Sequence, residues 1–276
     1  FRPRLLPDDA PADRRYDRQI ISGEDHFTPA QVIHCWEKLL NDGVAPSEVR
    51  LLGIGGGPIA AFEYRLALAL GALVGVVESS GGTADVLLQD LVWAALPNLL
   101  PLPDDPDTLR AFAHPAAALP FSDDVLDEMA KAFHANYVAG NQNKLPSNMK
   151  PWSKLDETYR IANREQARYV VKILESCGFQ VRPAADPAKP KVFSDFTPED
   201  IERLAEMEHG RWNVERLRQG WRRGDRDDSK KRHNCLVPWL NEAVLTDEIK
   251  GYDRQAVKLF PGLLAKVGLE VTRKAP

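Results

Sequence analysis

The glycine triplet Gly55-Gly56-Gly57 places the strongest constraint on the fold, because an apolar run precedes it and a helix-forming segment follows it. The run Val49–Ile54 predicts a buried strand that enters a tight turn. The same alternation then continues with a helix over Pro58–Leu70, a strand over Leu73–Val77, a helix over Thr83–Ala95, a strand over Asn98–Leu102 and a short helix over Asp107–Phe112. Strands that alternate with helices pair in parallel through right-handed crossovers. The first half of the chain therefore predicts an α/β layer.

Composition indicates a globular protein of one large or two ordinary domains. The chain has 276 residues, of which 43% are hydrophobic and 28% charged, and a net charge of −4. That charge gives no general reason to expect nucleic acid or a membrane surface as a partner. Cys35, Cys177 and Cys235 lie too far apart in the sequence to suggest a disulfide framework or a zinc site.

The chain divides into four predicted segments. Residues 1–26 are rich in Pro, Asp and Arg and predict a linker from a region upstream of Phe1, and residues 27–138 predict a Rossmann-like α/β domain. Residues 139–195 predict a helical connector that ends in the Pro-rich linker Ala184–Lys191, and residues 196–273 predict a mainly helical domain.

The first glycine-rich turn has the context of a dinucleotide-binding turn. Gly55 and Gly57 stand between a strand and a helix, and Glu78 ends the next predicted strand. Small residues let the backbone approach a pyrophosphate, free amides at a helix start attract anions, and an acid can bind a ribose hydroxyl. Pro58 removes one of those amides. Nucleotide binding and a purely structural tight turn are therefore both open interpretations.

A second glycine-rich turn contains Ser80, Gly81, Gly82 and Thr83, and it also joins a predicted strand to a helix. Its backbone amides predict a second candidate phosphate site. The segment Gly75–Leu87 resembles the SLOG domains of melastatin-type channels and of lysine-decarboxylase-like phosphoribohydrolases. Val86 stands where those hydrolases carry a glutamate, so the resemblance implies binding without hydrolysis. The region also resembles TrkA-type NAD-binding domains, in which a strand such as Asn98–Leu102 leads into a pair of acids.

The last third of the chain begins with a predicted helix that Thr197 caps. Glu208 and Trp212 fall on the apolar stripe of this helix. Because an unpaired buried carboxylate costs several kcal/mol, Glu208 requires a cation or several hydrogen bonds. The sequence offers three candidates for that role, namely Arg211, Arg222 and Arg254.

A basic, tryptophan-bearing stretch follows. Residues 211–232 contain nine Arg or Lys against four Asp or Glu. Trp212, Trp221 and Trp239 are interspersed with or follow these bases. Tryptophan faces stack on nucleobases and arginines bind phosphate, so the composition favours a nucleotide-like ligand. Packing of at least one of these tryptophans in the core is the structural alternative.

The residue order in this region resembles the RyR domain, the repeat module of ryanodine receptors. The resemblance rests on the segments around Leu204–Trp212, Gln219–Gly224, Asp227–Trp239 and Tyr252–Arg254, with Asn234 where the family usually has proline. It implies a small helical module with a loop arm, and Trp212 as the face on which a purine stacks. The expected ligand-binding residues are Glu208, Arg211, Trp212, Trp221, Arg222, His233, Trp239 and Arg254.

These observations predict a cytosolic ligand-sensing region, either of a soluble protein or of a membrane protein. We expect an adenine nucleotide, NAD or an ADP-ribose-type ligand, an upstream channel or effector, and a homo-oligomer. We expect no nucleic acid partner, catalytic residues or metal. A nucleotide hydrolase of the SLOG class and a protein-binding scaffold are the alternatives.

Overall fold

The computed structural model describes Arg4 and residues 20–114, 122–140 and 150–274. The chain divides into two compact units, Phe1–Asp104 and Asp105–Pro276. Most of the predicted linker 1–26 and most of the loop predicted over Ala139–Pro151 lie outside the described residues. No helix within the described ranges is both long and apolar enough to cross a bilayer.

The first unit contains a parallel three-stranded sheet with helices between successive strands. The strands lie in the order β1–β2–β3, and Val74 of the central strand pairs with Leu51 on one side and Leu99 on the other. The predicted alternation of strands and helices is therefore confirmed. The elements are α1 (Pro29–Asn41), β1 (Arg50–Gly53), α2 (Pro58–Leu70), β2 (Leu73–Val77), α3 (Gly82–Gln89), α4 (Leu91–Ala94) and β3 (Leu99–Leu102).

One element of this unit differs from its prediction. The single helix predicted over Thr83–Ala95 is two helices, because Asp90 has an extended backbone conformation between them. Its carboxylate accepts hydrogen bonds from the backbone amides of Val92 and Trp93, at 3.0 and 3.4 Å. An Asp that caps free amides in this way starts a new helix, and here it does so inside a sequence with uniform helix propensity.

The second unit is mainly helical. Thr197 caps its longest helix, as predicted, with an Asp200–Thr197 capping box. Two strands far apart in sequence, β4 and β7, pair antiparallel, with Val181 opposite Val271. The elements are α5 (Pro106–Ala113), α6 (Asp123–Gly140), α7 (Glu157–Ser176), β4 (Phe179–Pro183), α8 (Pro198–Arg218), β5 (Arg222–Arg223), β6 (Arg232–His233), α9 (Asp247–Ala265) and β7 (Leu269–Arg273).

Helix α5 packs closely against α8. Gly210 approaches Asp107 so closely that a Cβ atom at position 210 would lie 2.5 Å from the Asp107 carbonyl carbon. The buried Asp107 carboxylate accepts two hydrogen bonds from the Arg203 guanidinium, at 2.5 and 2.9 Å. The Asn213 side chain donates to the Thr108 hydroxyl at 3.1 Å. These contacts place α5 within the second unit, although the sequence pattern continues the strand–helix alternation into it.

Asp105 starts α5 and belongs to the same packing. It is 2% exposed, and its Oδ2 accepts from the backbone amide and the hydroxyl of Thr108 at 2.8 and 2.7 Å. Its Oδ1 accepts from the Trp239 backbone amide at 3.4 Å. The acid that the TrkA-like resemblance would place at the end of a cofactor-binding strand is thus a buried helix cap.

The Pro-rich segment Ala184–Lys191 runs beside β7 within this unit. The Ala184 amide donates to the Gly268 carbonyl at 2.8 Å, and the Lys191 amide donates to Glu270 Oε1 at 2.8 Å. The compact units divide at Asp104, whereas the sequence suggests a boundary at this segment. Hydrogen bonds at both ends hold the segment against β7, and prolines alone do not reveal such pairing.

Candidate functional site

A cleft of about 480 Å³ lies between four helices of the second unit. Its volume falls within the range of small-molecule sites, roughly 300–1,000 Å³. Helix α8 supplies its polar wall and α9 much of its apolar wall. Its lining includes His134 and Phe133 from α6, Asn163 and Gln166 from α7, Glu208, Arg211, Trp212, Glu215, Arg216 and Gln219 from α8, and Tyr252, Asp253 and Leu259 from α9.

The α8 wall follows from helical periodicity. Five side chains recur at spacings of three and four residues, which brings them onto one face of the helix. They are those of Glu208, Arg211, Trp212, Glu215 and Arg216. The apolar stripe predicted from the sequence therefore carries a polar row along its edge. This row faces the cleft.

Glu208 finds its cation within the same helix turn. Arg211 donates to both carboxylate oxygens of Glu208, from Nε at 2.9 Å and from Nη2 at 2.7 Å, and its Nη1 donates to Glu215. Of the three cations that the sequence offers, the structure selects Arg211. Burial raises the pKa of Glu208, with Arg211 acting in the opposite direction. Burial disfavours the charge of Arg211, but its two carboxylate neighbours outweigh this and raise its pKa.

Unlike Arg211, Arg216 has no carboxylate among its hydrogen-bond partners within the described residues. Its Nη1 donates to Gln219 Oε1 at 3.1 Å. Its guanidinium carbon lies 5.8 Å from the ring centre of Trp212 and 5.5 Å from that of Trp221. Within the described part of the chain it makes no ion pair, so most of its five N–H donors are left for other partners.

His209 lies next to Trp212 and Asp253, which both line the cleft. The imidazole of His209 stacks on Trp212 with ring centres 5.7 Å apart. Its Nε2 lies 3.0 Å from the Val237 carbonyl oxygen and its Nδ1 lies 3.3 Å from Asp253 Oδ2. His209 is 3% exposed and both of its ring nitrogens are engaged, which fits a role in positioning Trp212.

Three of the eight residues expected in this domain line the cleft, namely Glu208, Arg211 and Trp212. Trp239 is 2% exposed and its indole N–H donates to Glu202 at 3.1 Å, so it packs in the core. Arg254 donates from Nε to the same carboxylate at 2.6 Å. Both residues thus stabilise the contact between α8 and α9, outside the cleft lining.

The other three expected residues belong to the arm between α8 and α9. His233 lies edge-on to Trp212 and Trp221, with ring centres 4.9 and 6.0 Å away. Arg222 donates from Nη1 to the carbonyl oxygens of Leu217 and Trp221, at 3.2 and 2.9 Å. Of these residues His233 contacts Trp212, and all three stand outside the cleft lining.

Several cleft residues were not among those expected from the sequence. Asn163 and Gln166 come from α7, and Arg216, Tyr252 and Asp253 lie beside expected residues on α8 and α9. The only local signal on α7 is a pair of amides three residues apart, next to the buried Ala167. Sequence spacing alone does not tell which helix faces α8.

In the first unit the two glycine-rich turns close on each other. The amides of Thr83 and Ala84 donate to the carbonyls of Gly56 and Gly55, both at 3.0 Å. A Cβ atom at Gly82 would lie 2.4 Å from the Gly56 carbonyl oxygen, which explains the glycine. The turns therefore use amides at the start of α3 to bind one another.

The remaining residues expected at these turns lie within the turns or beside them. Gly55 donates its amide to the Ser80 hydroxyl at 3.0 Å, and Gly81 donates its amide to Asp85 Oδ2 at 3.1 Å. Gly57 is the N-cap of α2, and Glu78 directly follows β2. No group of three His, Cys, Asp or Glu side chains suited to a metal ion occurs in the described ranges.

The cleft and the arm can be compared with known families. Residues 193–273 match the family model of the RyR domain. The match confirms the resemblance predicted for the last third of the chain and covers α8, the arm, α9 and β7. The RyR domain thus supplies two of the four helices of the cleft, and α6 and α7 come from the residues before it. No curated protein matches this chain.

Proposed function

We propose that the second unit binds a nucleotide or nucleotide derivative in the cleft between α6, α7, α8 and α9. The observation that carries the proposal is the combination of Trp212 with Arg216 on one wall of a ligand-sized cleft. An indole face can stack on a nucleobase, with a contribution of roughly 1–3 kcal/mol. A guanidinium with unused donors can bind a phosphate or a hydroxyl group. An adenine nucleotide, NAD or an ADP-ribose-type molecule has the required parts.

We infer further that the unit acts as a sensor in a cytosolic, homo-oligomeric assembly with a channel or an effector. A ligand regulates such a partner only if it binds one conformation more tightly than another. The first unit, in this proposal, is a Rossmann-like region with a structural or regulatory role. Its internally bonded turn amides favour nucleotide binding in the cleft over binding at the glycine turns.

Thermal unfolding in the presence of ATP, ADP, AMP, NAD, ADP-ribose and cyclic nucleotides tests this proposal. A ligand at 100 times its Kd adds about 2.7 kcal/mol to the free energy of unfolding and raises Tm by a few degrees. We expect the shift to disappear in Trp212→Ala and to persist in Trp93→Ala, which removes a half-buried tryptophan of the first unit.

The other outcomes separate the alternatives. A shift that persists in a folded Trp212→Ala variant would contradict a site in the cleft and would direct attention to the glycine turns. The absence of any shift with every compound would contradict nucleotide sensing and favour a protein-binding scaffold.

A further inference from the structure

The charges that line the cleft limit what it can bind. Three carboxylates, those of Glu208, Glu215 and Asp253, face two guanidiniums, those of Arg211 and Arg216. With histidine neutral, the formal charge of the lining is therefore −1. Sites that bind di- or triphosphates usually have an excess of positive charge, from basic side chains or a metal ion. This cleft has the opposite balance.

Arg211 contributes little to this balance, because three of its five N–H donors already bind carboxylates. Its Nε and Nη2 bind Glu208 and its Nη1 binds Glu215, and its side chain is only 11% exposed. Moving it toward a phosphate would leave Glu208, which is 5% exposed, as an unpaired buried carboxylate. Breaking a buried pair in this way is strongly unfavourable. Arg216 is thus the lining cation that makes no ion pair with the described residues and has most of its donors unused.

The amides of α7 present acceptors to the cleft. Gln166 donates from Nε2 to Glu208 Oε1 at 3.4 Å, and Asn163 donates from Nδ2 to the Tyr159 carbonyl at 2.8 Å. Within the described residues their amide oxygens receive no hydrogen bond. Asp253, whose side chain is 24% exposed, adds a carboxylate. Such oxygens bind ligand donors, which in a nucleoside are the ribose hydroxyls and the exocyclic amine.

We propose that the cleft selects a nucleoside, or a nucleotide with a single negative charge such as a cyclic phosphodiester, over nucleoside di- and triphosphates. This inference rests on the proposed function and adds the ligand class. The base stacks on Trp212, the hydroxyls and the amine donate to the oxygens of Asn163, Gln166 and Asp253, and Arg216 binds the single phosphate. Each further negative charge on the ligand meets the carboxylates without a cation to balance it.

Isothermal titration of the full chain with adenosine, cyclic AMP, AMP, ADP and ATP tests the selection. Measurements without Mg²⁺ expose the full charge of each ligand. We expect cyclic AMP or adenosine to bind most tightly and ATP to bind at least roughly tenfold more weakly. Binding of ATP more tightly than cyclic AMP would overturn the inference and leave the proposed function standing. Binding of none of the five at millimolar concentration would contradict the proposed function itself.

A matched pair of variants tests the role of Arg216. Arg216→Gln should weaken cyclic AMP binding roughly tenfold and leave adenosine binding within about twofold of the unmodified chain. Arg218→Gln is the control, because Arg218 is on the same helix, pairs with Glu165 and does not line the cleft. An equal loss of adenosine and cyclic AMP binding in Arg216→Gln would contradict the assignment of the phosphate to this guanidinium.

Discussion

At the scale of single residues, neighbouring groups determine the ionisation state of His233, whose ring contacts Trp212. His233 is half-buried, with Arg226 Nη1 at 2.6 Å from its Nε2 and the Cys235 amide donating to its Nδ1 at 3.1 Å. Burial, together with the charges of Arg226 and Arg216, lowers the pKa of His233 to about 4. Asp228 acts in the opposite direction but is outweighed. His233 is therefore neutral at physiological pH, and its ring can pack against Trp212.

This ionisation state predicts a pH dependence of stability. The pKa of His233 is about 4 in the folded state and 6.5 for an unperturbed histidine, so the unfolded chain binds the extra proton between these values. The free energy of unfolding should therefore decrease as the pH falls from 6.5 to 4. Urea unfolding across this range should show a smaller decrease for His233→Gln than for the unmodified chain. Parallel curves for the two proteins would contradict a neutral, buried His233.

At the scale of secondary structure, the contact between α5 and α8 depends on the missing side chain at Gly210. The backbones approach so closely that a methyl group would overlap with the Asp107–Thr108 peptide. The side chains at the same contact are matched, with Arg203 on Asp107 and Asn213 on Thr108. The interface therefore combines close packing with buried hydrogen bonds, and one added carbon disrupts both.

Gly210→Ala should lower the free energy of unfolding by about 1–3 kcal/mol or more, because overpacking forces the helices apart. Gly251→Ala provides the control. Gly251 also lies inside a helix, α9, but an added Cβ atom there meets no atom within 4 Å. Alanine at that position should stabilise the helix by up to about 1 kcal/mol. Urea unfolding of the two variants gives the comparison, and a similar effect at both positions would contradict the close contact.

Local patterns predicted local features well. The Thr197 cap and the burial of Glu208 follow from spacing within one helix, and the parallel strands follow from the alternation of strands with helices. Features that depend on distant segments were not predicted. Strands β4 and β7 pair although their residues, such as Val181 and Val271, are far apart in sequence, and each strand alone is short.

The candidate site shows the same difference between features set by local sequence and features that depend on distant segments. Helical spacing placed Glu208 and Trp212 on one stripe of α8, and the resemblance to the RyR domain added Trp212 as the expected stacking face. The wall formed by Asn163 and Gln166 was not predicted, since nothing local indicates that α7 faces α8. Trp221 and Trp239 have the same kind of sequence surroundings as Trp212. Only the packing shows that Trp212 lines the cleft and that the other two do not.

At the scale of the whole molecule, the second unit extends well beyond the segment that matches the RyR domain. The match begins at residue 193, whereas the compact unit begins at Asp105. Helix α5 contributes partners for Arg203, Asn213 and Trp239, and β4 pairs with β7. Removal of these elements would leave buried polar groups of α8 without partners and β7 without its neighbouring strand.

A pair of fragments tests this extent. Residues 105–276 should unfold in one cooperative transition with urea, because all of the contacts above are retained. Residues 193–276 should show a broad transition with a low m value, since the exposed faces of α8 and α9 lose their cover. Circular dichroism gives the transition for both fragments. A cooperative transition of the shorter fragment would contradict the structural role assigned to α5, α7 and β4.

The closure between the glycine turns of the first unit has a consequence for motion. The amides of Thr83 and Ala84 belong to one turn and their acceptors, Gly56 and Gly55, belong to the other. Neither turn can open alone without losing both hydrogen bonds. The two connections, β1 to α2 and β2 to α3, therefore fluctuate as one cooperative segment. Local unfolding of one turn also frees the other turn from its two hydrogen bonds.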